Sequence, residues 1–168
     1  MIDKYGYNFL RFIIMIFIQV LILNNIDFSG YITPYLYILA VMLLPFDTPK
    51  WLLLVVAFFS GIIIDMFSDT LGLHTFSIVL MAYLRPAVLN WIDTPKENAP
   101  GTTPLNNNFK LEWFVKYTGI LTLVYHLSFE FMEAFSFSFF FSTVFKAIAS
   151  SVFTMILILL TRFLTIKR

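Results

Sequence analysis

The chain has no cysteine, only two histidines and few charges. Each scarcity removes a class of protein. Without cysteine there is no disulfide framework, no thiolate metal site and no thiol nucleophile. Charged residues make up 12% of the 168 residues, about half the share in a soluble domain. The formal net charge is +1, which gives no broad electrostatic basis for binding nucleic acid. What is present is apolar: 60% of the residues are hydrophobic, and the mean hydropathy is +0.85. A water-soluble globule of this size could not hide that much apolar surface, and a chain this greasy and aperiodic is neither disordered nor fibrous. The composition is that of a membrane protein.

A bilayer core needs about 20 apolar helical residues to cross. Six segments qualify wholly or in part, at roughly 9–23, 31–44, 51–67, 73–92, 113–132 and 139–164. They are continuously apolar rather than alternating, which predicts helices and not a barrel. The expected fold is therefore all-α, a polytopic bundle of six transmembrane helices forming one membrane domain over 1–168. Pro34 falls in the first turn of the second segment, where proline is tolerated. The first segment follows Lys4 and Arg11, but Leu23-Asn24-Asn25-Ile26-Asp27 has no small-x-small cleavage site, so it reads as a retained anchor. Residues 93–108, rich in Pro, Gly and Asn, read as a mobile loop.

Basic residues set the orientation. With the N terminus inside, Lys4, Arg11, Lys50, Arg85, Lys96, Lys110, Lys116, Arg162, Lys167 and Arg168 all fall on the cytoplasmic side, ten of the eleven. The outer loops hold Asp27, Asp65, Asp69, Glu130 and Glu133. The positive-inside rule then predicts a multi-pass protein with both termini cytoplasmic. Arg11 and Arg162, near helix ends, are expected to snorkel to the interface, as is Arg85.

Few residues carry chemistry. Gly61 and Asp65 lie four apart on one helix face. Glycine there permits close helix approach. An ionisable group in the outer part of a span is functional or else caps the helix end and faces water. Asp69 and Gly72 are expected to build the following turn, with His74 pinning the next helix. His126, Glu130 and Glu133 share a face of the fifth helix. Together with Asp65, Asp69 and His74 they make either a hydrated acidic rim or a divalent-metal site of oxygen and imidazole ligands, and the rim is the reading adopted. Pro86, after Arg85, interrupts the fourth helix. Phe137, Phe140 and Phe141 open the sixth and face lipid or a partner helix. No nucleophile–base pair, phosphate loop or zinc-hydrolase motif is present, and no cofactor is expected.

The ordered set of features resembles the MreD family, rod-shape-determining inner-membrane proteins of bacteria. The set is Asn24-Asn25-Ile26, Pro34-Tyr35, Leu44-Pro45-Phe46-Asp47-Thr48-Pro49 before Trp51, Gly61 through Asp65 to Gly72-Leu73-His74, and Ala82-Tyr83-Leu84-Arg85-Pro86. Glu133-Ala134-Phe135-Ser136-Phe137 is similar to the Bacteroidetes-type branch. The resemblance covers nearly the whole chain, least at 93–108. It implies a non-enzymatic part of the cell-elongation machinery that binds a single-span MreC-type protein. Through that partner it would reach the cell-wall glycosyltransferase and transpeptidase of peptidoglycan synthesis and the actin-like filament. It also implies a fold similar to the substrate-binding subunits of energy-coupling-factor transporters. The alternative, from the outer polar cluster, is a small-solute or metal-binding transport subunit. A scaffold predicts polar residues that satisfy one another and aromatic and glycine faces that point outward; a binder predicts ionisable groups converging on a pocket.

Overall fold

A computed structural model describes residues 2–25, 32–92, 94, 101–106, 108–135 and 139–166. Among these residues the chain is all-helical, with no strand. The helices are α1 (Ile2–Leu21), α2 (Ile38–Met42), α3 (Lys50–Ser68), α4 (Leu73–Trp91), α5 (Leu111–Ala134) and α6 (Phe140–Ile166), and a 3-10 turn at Leu23–Asn25 follows α1.

Helices α3 to α6 form an up-and-down row, each packed along the next. Their side-chain bonds fix the antiparallel order: Arg85 meets Tyr117 and His74 meets Tyr125 between α4 and α5, while His126 meets Thr154 and Lys146 meets Glu133 between α5 and α6. The α3–α4 connection is tight because Asp69 (φ 52°) and Gly72 (φ 86°) both take left-handed backbone conformations. Glycine adopts that conformation freely, and aspartate is among the residues that tolerate it. We call the end of the bundle bearing this turn the outer end. At the opposite end Lys116 donates to exposed Glu112 at 2.6 Å, and this hydrogen bond with its charge holds the Glu112 carboxyl below the usual range.

The second segment departs from expectation. Among the described residues of the 31–44 segment, only Ile38–Met42 are helical. Five residues rise about 7.5 Å, far short of a membrane span. Past Pro34 the backbone is held from outside: Tyr35 N–H donates to the Thr154 hydroxyl and Leu36 N–H to Gln19 Oε1. The segment nevertheless passes through the middle of the bundle. Helix α2 touches α1, α3, α4 and α5, and Tyr37, Ile38, Leu39, Val41 and Met42 are all fully buried.

Two helices, α3 and α6, are long and apolar enough to cross a membrane; the apolar part of α1, Leu10–Leu21, is shorter. Helices α4 and α5, which carry Arg85 on one and His126, Glu130 and Glu133 on the other, do not meet that standard.

Other expectations need correction. Helix α4 continues through Pro86 without interruption. Arg162 does not snorkel: it is 5% exposed, donates to the Phe109 carbonyl at 2.8 Å and lies over the Phe114 ring. The later part of the 93–108 loop is anchored rather than loose. Phe46 N–H donates to the Thr102 carbonyl at 3.0 Å, Gly101 N–H donates to the Asp47 carboxylate at 3.2 Å, and Leu105 is buried. Residues 93, 95–100 and 107 lie outside the described residues.

Candidate functional site

The outer end gathers the polar residues of four helices. Asp65 is 7% exposed and accepts four hydrogen bonds. Thr70 hydroxyl and His74 N–H reach Oδ1 at 2.6 and 3.1 Å. Thr75 N–H and hydroxyl reach Oδ2 at 2.9 and 2.5 Å. His74 and Thr75 lie in the first turn of α4, whose preceding residue, Gly72, has no side chain to cap it. Asp65 of α3 is therefore the N-cap of α4, supplied across a hairpin. It satisfies two orphan amides and puts negative charge at the positive end of the helix dipole. Capping was expected at the end of α3 and in water; it occurs at the start of α4 and is buried.

Gly61 stands one turn below on the same face. A Cβ added there would lie 2.4 Å from the Thr75 Cα. The glycine face thus points inward, against α4, and not outward as the scaffold reading expected. It lets α3 and α4 approach closely enough for Asp65 to reach the Thr75 backbone.

Beneath this cap lies a buried aromatic and histidine core. The Tyr37 and Tyr125 hydroxyls are 2.8 Å apart, and Tyr125 Oη is 2.6 Å from His74 Nδ1. Tyr37 donating to Tyr125, and Tyr125 to His74, satisfies all three groups. The Tyr35 ring packs edge-on to His74 and stacks on His126. His126 Nε2 meets the Thr154 hydroxyl at 2.9 Å, and that hydroxyl accepts the Tyr35 N–H at 3.1 Å. His126 Nδ1 has no hydrogen-bond partner among the described residues.

The three residues expected on one face of α5 part company. His126 is fully buried and Glu130 is 2% exposed, while Glu133 is about half exposed. Lys146 of α6 stands between the carboxylates, 3.1 Å from Glu130 and 2.9 Å from Glu133. Glu130 Oε1 has no hydrogen-bond partner among the described residues. No set of three or more His, Asp or Glu side chains converges as metal ligands among those residues. Asp65 is fully occupied by donors, and exposed Asp69 serves the turn.

Arg85 is the counterpart of Asp65 toward the inner end. It is 2% exposed and does not reach an interface. Its Nε donates to the Tyr117 hydroxyl at 2.7 Å, its Nη2 donates to the Met42 carbonyl at 3.3 Å and to the Leu44 carbonyl, and Tyr117 donates to Met42 as well. A cation thus caps the C-terminal carbonyls of α2, where the dipole is negative. Gln19 of α1 serves the other end of that segment. Its Oε1 accepts from Leu36 N–H at 2.7 Å and its Nε2 donates to the Pro34 carbonyl at 3.1 Å. These groups replace the ladder the unwound backbone lacks, which is the condition for burying non-helical chain.

Phe140 and Phe141 are exposed, the latter 86%; Phe137 lies outside the described residues. Reading the sequence missed Gln19, Tyr37, Tyr117, Tyr125 and Thr154. Gln19 had a signal, being the sole polar residue from Phe12 to Leu23. The tyrosines had none, since tyrosine also belongs at membrane interfaces.

Two hollows flank the outer end. One, of about 400 Å³, is a cleft over Tyr35, His74 and Phe129 with Asp69 and Glu133 on its wall. The other, of about 470 Å³, is an entirely apolar groove between α1 and α3.

No protein-family model, no curated protein and no solved structure matches the chain.

Proposed function

We propose that the protein is a non-catalytic integral membrane subunit of the bacterial cell-elongation complex, a scaffold in the inner membrane that binds a single-span MreC-type partner. Through that partner it would hold the cell-wall glycosyltransferase and transpeptidase near the actin-like filament. The chain would pass the bilayer six times with both ends cytoplasmic, the second pass being the buried segment around α2 and not a full helix. One observation supports the scaffold reading: most of the interior charge is taken up within the fold. Asp65 caps α4, Arg85 caps α2, and Lys146 joins Glu130 to Glu133. Meanwhile Phe141, Phe145, Ile148, Val152, Ile156 and Leu160 run exposed along α6 at helical spacing. A continuous apolar stripe of this kind suits a partner helix or lipid.

Co-purification in mild detergent tests the reading. The single-span partner should remain bound to the wild type and, measurably, to Asp65→Asn, His126→Gln and Glu130→Gln. Stoichiometric metal that disappears in any of these variants would favour the transport alternative instead. Reporter fusions after Asn108 and after Arg168 should both read cytoplasmic, and a periplasmic signal from either overturns the topology.

A further inference from the structure

The two outer hollows share a wall. Val20 of α1 and Phe67 of α3 line both the polar cleft and the apolar groove. The groove follows α1 from Phe12 to Leu21, about 14 Å of helix. Its lining side chains among the described residues are all apolar, whereas the neighbouring cleft is lined by Gln19, Asn24, Asp69 and Glu133 as well as by apolar groups. An apolar hollow and a polar one side by side match an amphiphile: a chain lying along α1 and α3, and a head turning over Val20 and Phe67 into the cleft.

The head end has a definite electrostatic character. Among the described residues no lysine or arginine lines the cleft, while Asp69 and Glu133 do. Behind Glu133 lies buried Glu130, and the two glutamates share a single ammonium, Lys146. The floor is aromatic, with Tyr35, His74 and Phe129 in mutual ring contact at 4.6 to 5.1 Å. Carboxylates above aromatic faces recognise an organic cation. An anionic headgroup would find repulsion there.

The geometry points to a specific site for a lipid with a primary-ammonium headgroup, its acyl chain in the α1–α3 groove and its ammonium between Asp69, Glu133 and the aromatic floor. The site rests on the membrane half of the proposed function and is independent of any protein partner.

The experiment uses the full chain reconstituted in bilayers of equal phosphatidylethanolamine and phosphatidylglycerol. After mild extraction, native mass spectrometry counts retained lipids. One phosphatidylethanolamine per chain should persist in preference to phosphatidylglycerol. The Asp69→Asn, Glu133→Gln double variant should weaken its retention by about tenfold, a plausible loss for a desolvated ammonium with its carboxylates removed. Asparagine tolerates the left-handed backbone at 69, so the turn survives. Filling the groove with Ile16→Trp should do the same, whereas Ile156→Trp on α6 should change nothing. Equal retention of both lipids, or unchanged retention in both the double and the groove variants, overturns the site. Soluble ethanolamine binding as tightly as the lipid, with Ile16→Trp without effect, overturns the lipid and leaves a free-cation cleft. Alkaline extraction run alongside separates the two layers of inference. A chain that stays in the membrane without lipid selectivity sinks only the site, and a chain released by alkali sinks the membrane reading itself.

Discussion

Helices α2 and α6 lie at opposite limits of how this chain meets its surroundings. Helix α2 has five residues, all buried, and borrows capping groups from three other helices. Helix α6 has 27 residues, satisfies its own backbone and packs mainly on α5, leaving large side chains such as Phe141, Phe145 and Leu164 at least 72% exposed. The difference separates two meanings of an apolar run. In α6 the apolar residues answer to the outside, and the stripe tolerates change. In α2 they answer to the inside, and the segment depends on polar residues elsewhere in the chain. Hydropathy scores the two segments alike; only backbone satisfaction tells them apart.

The contrast can be broken most severely at Arg85. Arg85→Leu removes every side-chain donor that Arg85 gives to the end of α2 and leaves buried carbonyls under-satisfied. A loss of about 3–5 kcal/mol is expected, read as thermal unfolding in detergent, with Arg85→Lys recovering part of it. A leucine variant as stable as wild type would mean the cap is dispensable.

Gly61→Ala comes next. The added Cβ meets backbone at 2.4 Å, so α3 and α4 must separate, at about 1–3 kcal/mol. Gly61→Leu should be worse while still inserting, since leucine favours the membrane. Wild-type stability and complex yield in the leucine variant would contradict this.

Gln19→Leu sharpens the comparison from the other end of α2. It raises hydropathy, so a purely apolar view of α1 predicts no harm. The buried Leu36 N–H and Pro34 carbonyl lose their partner, at about 1–3 kcal/mol. A more stable leucine variant would show that these backbone groups find other partners.

The smallest effect belongs to α6. Ile156→Ala, half exposed, should shift stability by within about 0.5 kcal/mol. If the stripe carries the partner, the same change weakens co-purification of the single-span protein without touching the melting temperature. A large loss of stability would place Ile156 in the fold and not on its outer face.

Much of this was readable beforehand. The order of the helices, the Asp69–Gly72 turn and the pairing of Gly61 with Asp65 on one face follow from spacing, because they are local. What escaped is non-local. The destination of Arg85 depends on where α2 ends, 41 residues earlier for its bond to Leu44. The separation of Glu133 from Glu130 depends on Lys146, contributed by the next helix. Pro34 was placed in a first helical turn because the following residues are apolar; nothing local revealed that Gln19, Ser150 and Thr154 would hold the backbone from Thr33 to Leu36 without a helix.

The cap that Asp65 places on α4 also bears on biogenesis. A carboxylate entering the bilayer on α3 alone has no donors except its own turn, and an isolated charge there is costly. Its remaining donors, His74 and Thr75, are only nine and ten residues ahead. They emerge from the ribosome less than a second or two after it, at about 5–20 residues per second. On the proposed membrane reading, the α3–α4 hairpin would enter the bilayer as one unit, with the Asp65 charge already met by the dipole and hydrogen bonds of α4.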